Sequence, residues 1–395
     1  MSPTSHLYSA KLLAFKESTV LVSHHPSWKR LLRACLLLYL IALGVRLSAA
    51  VKMGLDSQFS TGGDEETFYT RARNLAHGNG YVRAGHDGVL RKTAYQVPGG
   101  PILMAAGIRI LGDSPRSIRI SAIVISSFSA PLMLLFALEM SPFPSAVMAG
   151  LGCAFYPSWV FYSIDGYTEP FFIPFLIAGL WLSARAVRER SAGLPFLGGL
   201  AWGCAALVRP LAVPMVVILI GYLSGHKLFR PAVLLALGFL LVFSPWLIRN
   251  QIVFGHPVLA TEGGETFLGA NNQYVLENPA YHGLWIPPWQ VPEYRRLIEN
   301  ITDELKENEI EYRVGMDFVR ANPKDVPILV IYKLGRWLTP VAHTTSSARY
   351  LILASYGGLI LLLLNGIPRK IFRFTPSLRM VLIWSFILCG ITAVY

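Results

Sequence analysis

Cysteine is scarce in this chain, and so is charge. Four cysteines occur in 395 residues, and Cys35, Cys153, Cys204 and Cys389 all fall inside apolar runs. They read as small buried apolar residues, so neither a disulfide framework nor a thiolate metal site is expected. Only 15% of the residues are charged, against about 25% in ordinary soluble domains. Acid is scarcer than base, 23 residues against 35, for a net charge of +12, yet no nucleic-acid motif accompanies that excess. The leader is long and polar and the first apolar run is of full spanning length, which is not the pattern of a cleavable signal peptide.

What the chain has in quantity is apolar length. It is 53% hydrophobic, with a mean hydropathy of +0.46. Crossing a hydrocarbon core of about 30 Å takes roughly 20 helical residues. Runs of that order lie near Leu31 to Val51, Ser117 to Leu138, Pro144 to Tyr162, Tyr167 to Val187, Pro231 to Ile248, Tyr350 to Gly366 and Leu378 to Tyr395. The expected class is an all-α polytopic membrane protein.

Flanking charge orders the spans. The stretch from Gly193 to Gly225 is too long for one span and lies between the basic groups Arg185, Arg188, Arg190 and Lys227, Arg230. With both groups cytoplasmic, it must be a pair of short helices turning at Arg209-Pro210. The run from Val326 to Leu338 is short and carries Lys333 and Arg336. Laid on the outer surface as an amphipathic helix, it leaves the acid-free loop Arg369, Lys370, Arg373 and Arg379 inside. The count becomes nine spans, with the N-terminus inside beside Lys11, Lys16, Lys29, Arg30 and Arg33. Two large extracytoplasmic loops then carry amphipathic interfacial helices. The expected division is a cytoplasmic segment 1–30, a core 31–248 with the first outer loop 52–116, a second outer loop 249–348, and C-terminal helices 349–395. The chain ends at Tyr395 inside an apolar run, which reads as a shortened member or a fragment.

Against this basic, oily background the triple Asp64-Glu65-Glu66 stands out. It opens an amphipathic helix in the first loop, where Phe68, Ala72, Leu75 and Ala76 recur at helical spacing and Thr67, Arg71 and Asn74 face away. Acid in a first turn also suits the helix dipole, so solvated capping is the plain alternative to function. A second short apolar piece, Pro98 through Leu111, begins with proline, as helices tolerate, and is placed in the interface. The charged run from Glu293 to Arg320 reads as a solvated cover, and Asn300-Ile301-Thr302 is a glycosylation sequon only in a eukaryotic host. His77, His86, His256, His282 and His343 lack metal-ligand spacing. Trp285, Trp289 and Trp337 read as interfacial anchors.

Taken in order, GGDEETFYTRARNLAHGNGYV, TAYQVPGGPILMA, IDGYTEPFF, ALVRPLAVP and FSPWLIRNQIVFG form a pattern on one face that resembles the GT-C glycosyltransferases. The branch is that of the protein O-mannosyltransferases and lipid A aminoarabinose transferases. The resemblance implies transfer of a sugar from a polyprenyl-phosphate carrier to a lipid, glycan or protein acceptor at the extracytoplasmic face of a membrane, here taken as the bacterial inner membrane. It also implies that Asp64 is the catalytic base or acceptor-binding carboxylate, that Glu65 completes the Asp-Glu pair, and that Glu169 is the acidic residue opening the fourth span. Arg209 falls at the basic position of the turn. Where the aminoarabinose transferases have a Glu-Lys pair before the proline, this chain has Gln96-Val97, a departure that touches both the metal ligand and the phosphate-binding lysine of that subgroup.

A lipid phosphate is already a good leaving group, so the chemistry needs a base for the acceptor hydroxyl and positive charge for the departing phosphate. Asp64 is the expected base, with Glu65 and Glu169 beside it. Glu169 could orient the acceptor or hold a divalent cation, and no other cofactor is called for. Arg209, Arg249, Arg91 with Lys92, and Tyr95 are the candidate substrate-binding residues, arginine because its planar fork matches phosphate oxygens. Arg249 follows Pro245-Trp246 at an interface, where snorkelling explains it equally well. A lipid-linked-sugar transporter or flippase is the competing reading, though no internal repeat of the expected kind is evident. A non-catalytic relative that only binds the carrier is the other.

Overall fold

The structure, a computed structural model, describes residues 26–337 apart from 60–62, 86, 190 and 192, together with the isolated positions 350, 353 and 357. Helix α1 (Trp28–Met53) is followed by α2 (Asp64–Ala76), a hairpin of β1 (Val82–Ala84) and β2 (Leu90–Lys92), and α3 (Gly99–Leu111). The membrane core continues with α4 (Pro115–Ser127), α5 (Ser129–Ala137), α6 (Phe143–Phe155), α7 (Pro157–Asp165), α8 (Glu169–Glu189), α9 (Gly193–Val208), α10 (Ala212–Gly225) and α11 (Phe229–Phe254). The second loop folds as α12 (Gly263–Ala270), α13 (Gln273–Glu277), α14 (Pro292–Ile298), α15 (Glu304–Ala321) and α16 (Val326–Trp337).

The protein is an integral membrane protein, and its long apolar helices are the physical reason. Helices α1, α8, α11 and the continuous α4–α5 unit are long and apolar enough to cross a bilayer. The pair α6–α7 is bent by 43° at Tyr156, which takes an extended ψ of 114° because the ring of Pro157 excludes the helical conformation from the residue before it. The stretch 193–225 is two helices parted at Arg209-Pro210-Leu211, where the charge pattern puts the turn. The spans expected at 350–366 and 378–395 lie outside the described residues.

Among the described residues the all-α expectation holds apart from one short antiparallel hairpin, with Val82 opposite Lys92 and Arg83 opposite Arg91. In the apolar interior, close approach rather than water exclusion favours association. Gly199 of α9 and Gly238 of α11 supply that approach: a Cβ on either would overlap the main chain of the facing helix. Trp202, fully buried, lies over Gly179 of α8 and donates Nε1–H to Ser183 Oγ at 3.1 Å.

The loops are anchored by polar clamps. Asp113, after α3, accepts from Tyr69 Oη at 2.8 Å and Arg73 Nε at 2.9 Å, which fixes α2 along α3. Arg119 donates to the carbonyls of Ile164, Leu55 and Ser57. Two backbone bonds, Thr261 N–H to Ala94 and Glu262 N–H to Tyr95, each 3.0 Å, join the second loop to the first. Glu304 of α15 closes the same joint, accepting from Thr93 Oγ1 at 2.7 Å and from the Ala94 amide at 2.6 Å. The reading of 293–320 as a solvated cover therefore needs correction on one face: α15 turns Glu304 into the joint and buries Glu311 and Gly315 against α12. Helix α16 has twelve residues, too few for a crossing, and buries Leu329 against Val275, Ile286 and Val291 of the second loop.

Candidate active site

Four segment ends converge where the first loop meets the core. Helix α2 begins at Asp64, α8 begins at Glu169, α9 ends just before Arg209, and the segment 93–98 leads into α3. Their convergence depends on Gly99-Gly100. A Cβ at Gly99 would lie 2.6 Å from the carbonyl carbon and oxygen of Leu207, and one at Gly100 would lie 2.5 Å from the Thr168 side chain. Glycine at both positions lets the start of α3 rest directly on the elements that carry Arg209 and Glu169.

Arg209 Nη2 donates to Glu169 Oε1 at 2.7 Å, with Arg209 39% and Glu169 23% exposed at the side chain. Each partner retains unused capacity: Arg209 Nε and Glu169 Oε2 are buried without a hydrogen-bond partner. Asp64 remains accessible to solvent. Partial desolvation, then the charges of Glu65 and Glu169, push its carboxyl above the usual range, while Arg209 and Arg71 pull it down. An accessible carboxylate with a raised proton affinity suits a general base. Glu65 is bonded by the Tyr167 hydroxyl. Glu169 is paired with the Arg209 guanidinium, and Arg71 adds a second positive charge near Asp64. Among the described residues no three His, Cys, Asp or Glu side chains are grouped as metal ligands. The positive charge that Arg209 and Arg71 bring beside Asp64 suits an anion at this site.

Arg249 and Arg91 are engaged elsewhere, whereas Tyr95 borders Arg71. Arg249 is engaged by the carbonyls of Thr93 at 2.7 Å and Tyr81 at 3.3 Å and by Asn250 Oδ1 at 2.8 Å, and it clamps the base of the first loop. Arg91 is paired with Asp87 at 2.6 Å on the hairpin. Tyr95 donates to Glu265 Oε2 at 2.5 Å, with the Arg83 guanidinium 3.8 Å from its ring centre.

The sequence reading turned Arg71 outward, and the structure corrects it: Arg71 is 1% exposed. Its signal was present, because Phe68, Arg71, Ala72 and Leu75 follow the i, i+3, i+4, i+7 spacing of one helical face. Glu262, Glu265 and Gln96 also belong to this neighbourhood. Burial pushes Glu262 and Glu265 up to about 7, with Gln96 and Tyr95 respectively bonding their carboxyls. Nothing local marked Glu262 and Glu265, since they reach Tyr95 and Gln96 only through the joint between the two loops.

Residues 95–248 match the family model described as dolichyl-phosphate-mannose-protein mannosyltransferase. The chain resembles the GT-C glycosyltransferases, and the matched segment carries Tyr95, Glu169 and Arg209 while Asp64 precedes it. No curated protein matches the chain by sequence. Among solved structures, ArnT from Cupriavidus metallidurans bound to undecaprenyl phosphate is 15% identical, with a TM-score of 0.46 over 91% of this chain and 76% of that one. The oligosaccharyltransferase AglB from Archaeoglobus fulgidus, in complex with an inhibitory peptide and a dolichol-phosphate, is 13% identical, with a TM-score of 0.43 over 90% of this chain and 39% of that one.

Proposed function

We propose that this protein transfers a sugar from a polyprenyl-phosphate carrier to an acceptor hydroxyl on the extracytoplasmic face of a bacterial cytoplasmic membrane. The observation that carries the reading is the grouping of an accessible, proton-hungry Asp64 with the Glu169–Arg209 pair, within a chain that matches a family named for a polyprenyl-phosphate sugar donor. Asp64 takes the proton of the acceptor hydroxyl as its oxygen forms a bond to the anomeric carbon. The bond from that carbon to the carrier phosphate breaks, and the phosphate leaves with the electron pair. Arg209 meets the charge that develops on it, a contribution that is large where water is scarce. Glu169 orients Arg209 through Oε1 and offers Oε2 to an acceptor hydroxyl. Residues 31–248 form the catalytic core in this reading, and 249–348 cover it.

The test is release of sugar from a polyprenyl-phosphate donor by the purified chain in nanodiscs. Turnover with wild type and none with Asp64→Asn is the expected result. Transport of the intact lipid-linked sugar without hydrolysis or transfer would overturn it.

A further inference from the structure

A buried guanidinium is costly unless its donors are met, and Arg71 has most of its donors unmet. It projects from α2 and is 1% exposed. Its Nη1 is spent on Gln96 Oε1, and its guanidinium carbon stands 5.2 Å from the Tyr95 ring centre. Nε and Nη2 are buried and have no partner. Those two atoms form the side edge of the guanidinium, the pair of parallel N–H groups that grips two oxygens of one phosphate or carboxylate. The fold thus satisfies the end of the fork and leaves its side edge open.

The neighbouring carboxylates do not close that edge. Glu262 feels Arg71 but accepts its hydrogen bond from the Gln96 amide, and burial raises it to about 7, so it is a weak counter-ion at neutral pH. Asp64 also feels Arg71, yet makes no hydrogen bond with its side edge. Arg209 acts on the same two carboxylates, so both guanidiniums border one region, and Arg209 contributes a third unmet donor at Nε.

We infer that Arg71 is a donor-binding residue whose Nε/Nη2 edge holds two oxygens of the carrier phosphate, with Gln96 fixing the guanidinium from its other end. The inference rests on the reading of this protein as a polyprenyl-phosphate-dependent transferase. Arg71 is then the main anion anchor, and Arg209, half committed to Glu169, is its partner. Gln96 belongs to the same device: a neutral acceptor there orients the cation without neutralising it, whereas a carboxylate would compete with the phosphate for its charge.

The experiment titrates undecaprenyl phosphate and, separately, undecaprenol and inorganic phosphate into the full chain in nanodiscs, reading affinity and the ligand-induced shift in Tm. Wild type is expected to bind undecaprenyl phosphate well above undecaprenol, with inorganic phosphate competing weakly. Arg71→Lys keeps the charge but loses the fork and should weaken undecaprenyl phosphate at least tenfold, leaving undecaprenol unchanged. Gln96→Glu, nearly isosteric, sets a carboxylate against Arg71 that competes with the phosphate and should weaken carrier binding several-fold, and it decides the matter if Arg71→Lys does not fold. A purely structural Arg71 predicts the opposite pattern: a lower unliganded Tm in Arg71→Lys with carrier affinity intact in both variants, which overturns the inference alone. Failure of wild type to discriminate undecaprenyl phosphate from undecaprenol overturns the carrier reading as well. Equal displacement by inorganic phosphate and by undecaprenyl phosphate would assign the edge to a free anion, and that too overturns it.

Discussion

Arg209 and Glu169, forty residues apart in sequence, meet at 2.7 Å where the end of α9 faces the start of α8. Neither is fully used by the other. Glu169 Oε2 and Arg209 Nε are buried without a hydrogen-bond partner, so the pair keeps one acceptor and one donor unspent. A simple structural ion pair at this interface would have no need to leave both unmet.

Asp64→Asn should abolish transfer while leaving insertion and expression intact. A general base contributes about a hundredfold or more, so retention of more than roughly a tenth of the activity would remove Asp64 from that role. Glu66→Gln should be much milder, and Glu65→Gln intermediate because the Tyr167 hydroxyl rests on that carboxylate.

The pH profile follows from the environment of Asp64. Desolvation and the charges of Glu65 and Glu169 raise its proton affinity above the ordinary 3.8. Activity should therefore fall as pH drops through a value above the normal aspartate range, because the protonated base cannot accept a proton. Replacing Glu169 by Gln removes one of the raising charges and should move that acid limb to lower pH. An unmoved limb in Glu169→Gln would show that the titrating group is elsewhere.

Arg209→Lys should not behave as a conservative change. Lysine offers one ammonium where the fork now spans Glu169 and its open Nε side. A charge-assisted hydrogen bond contributes about 1.5–3 kcal/mol, so a tenfold to hundredfold loss in transfer efficiency is expected, with Arg209→Ala worse. The loss should be the same for every acceptor, and donor titrations against two acceptors check this.

Glu311 offers a stability test away from the chemistry. Burial first, then the charges of Glu265 and Glu307, push it up to about 9 from an ordinary 4.5, with Arg83 opposing. The unfolded chain releases this proton near the ordinary value while the folded protein keeps it, so stability falls as pH rises from about 4.5 to about 9. The slope is on the order of 1 kcal/mol per pH unit at most. Glu311→Gln should raise the apparent Tm at pH 8 and leave it unchanged near pH 4.5. Equal Tm values for the two proteins at both pH values would contradict a buried, protonated Glu311.

Gly99→Ala should damage the site without touching a functional group. The added methyl would meet the Leu207 carbonyl at 2.6 Å, and such overpacking costs typically about 1–3 kcal/mol. Because backbone cannot rotate aside, α3 should shift and separate Tyr95 and Gln96 from Arg209. A fall in turnover larger than the fall in Tm accounts for is the expected signature.

The sequence by itself determined what depends on composition and local period. Apolar runs had to become helices, because a bilayer leaves backbone polar groups no other partner. Proline at 157 and at 210 broke two of them, and acid at Asp64 and Glu169 falls in the first turn of a helix, where the dipole favours it. The resemblance that named the class rests on the same local strings. Only the tertiary structure decided which charges meet. Arg71 reads as outward-facing by sequence, yet α2 lies with the Phe68–Leu75 face against α3, and Arg249, a weaker candidate than Arg209 by sequence, is consumed by the carbonyls of Thr93 and Tyr81. Glu262 and Glu304 reached the first loop through two backbone hydrogen bonds and a carboxylate clamp that span more than 160 residues. No local rule encodes such a contact, because its free energy comes from closing the chain on itself rather than from any segment's own preference.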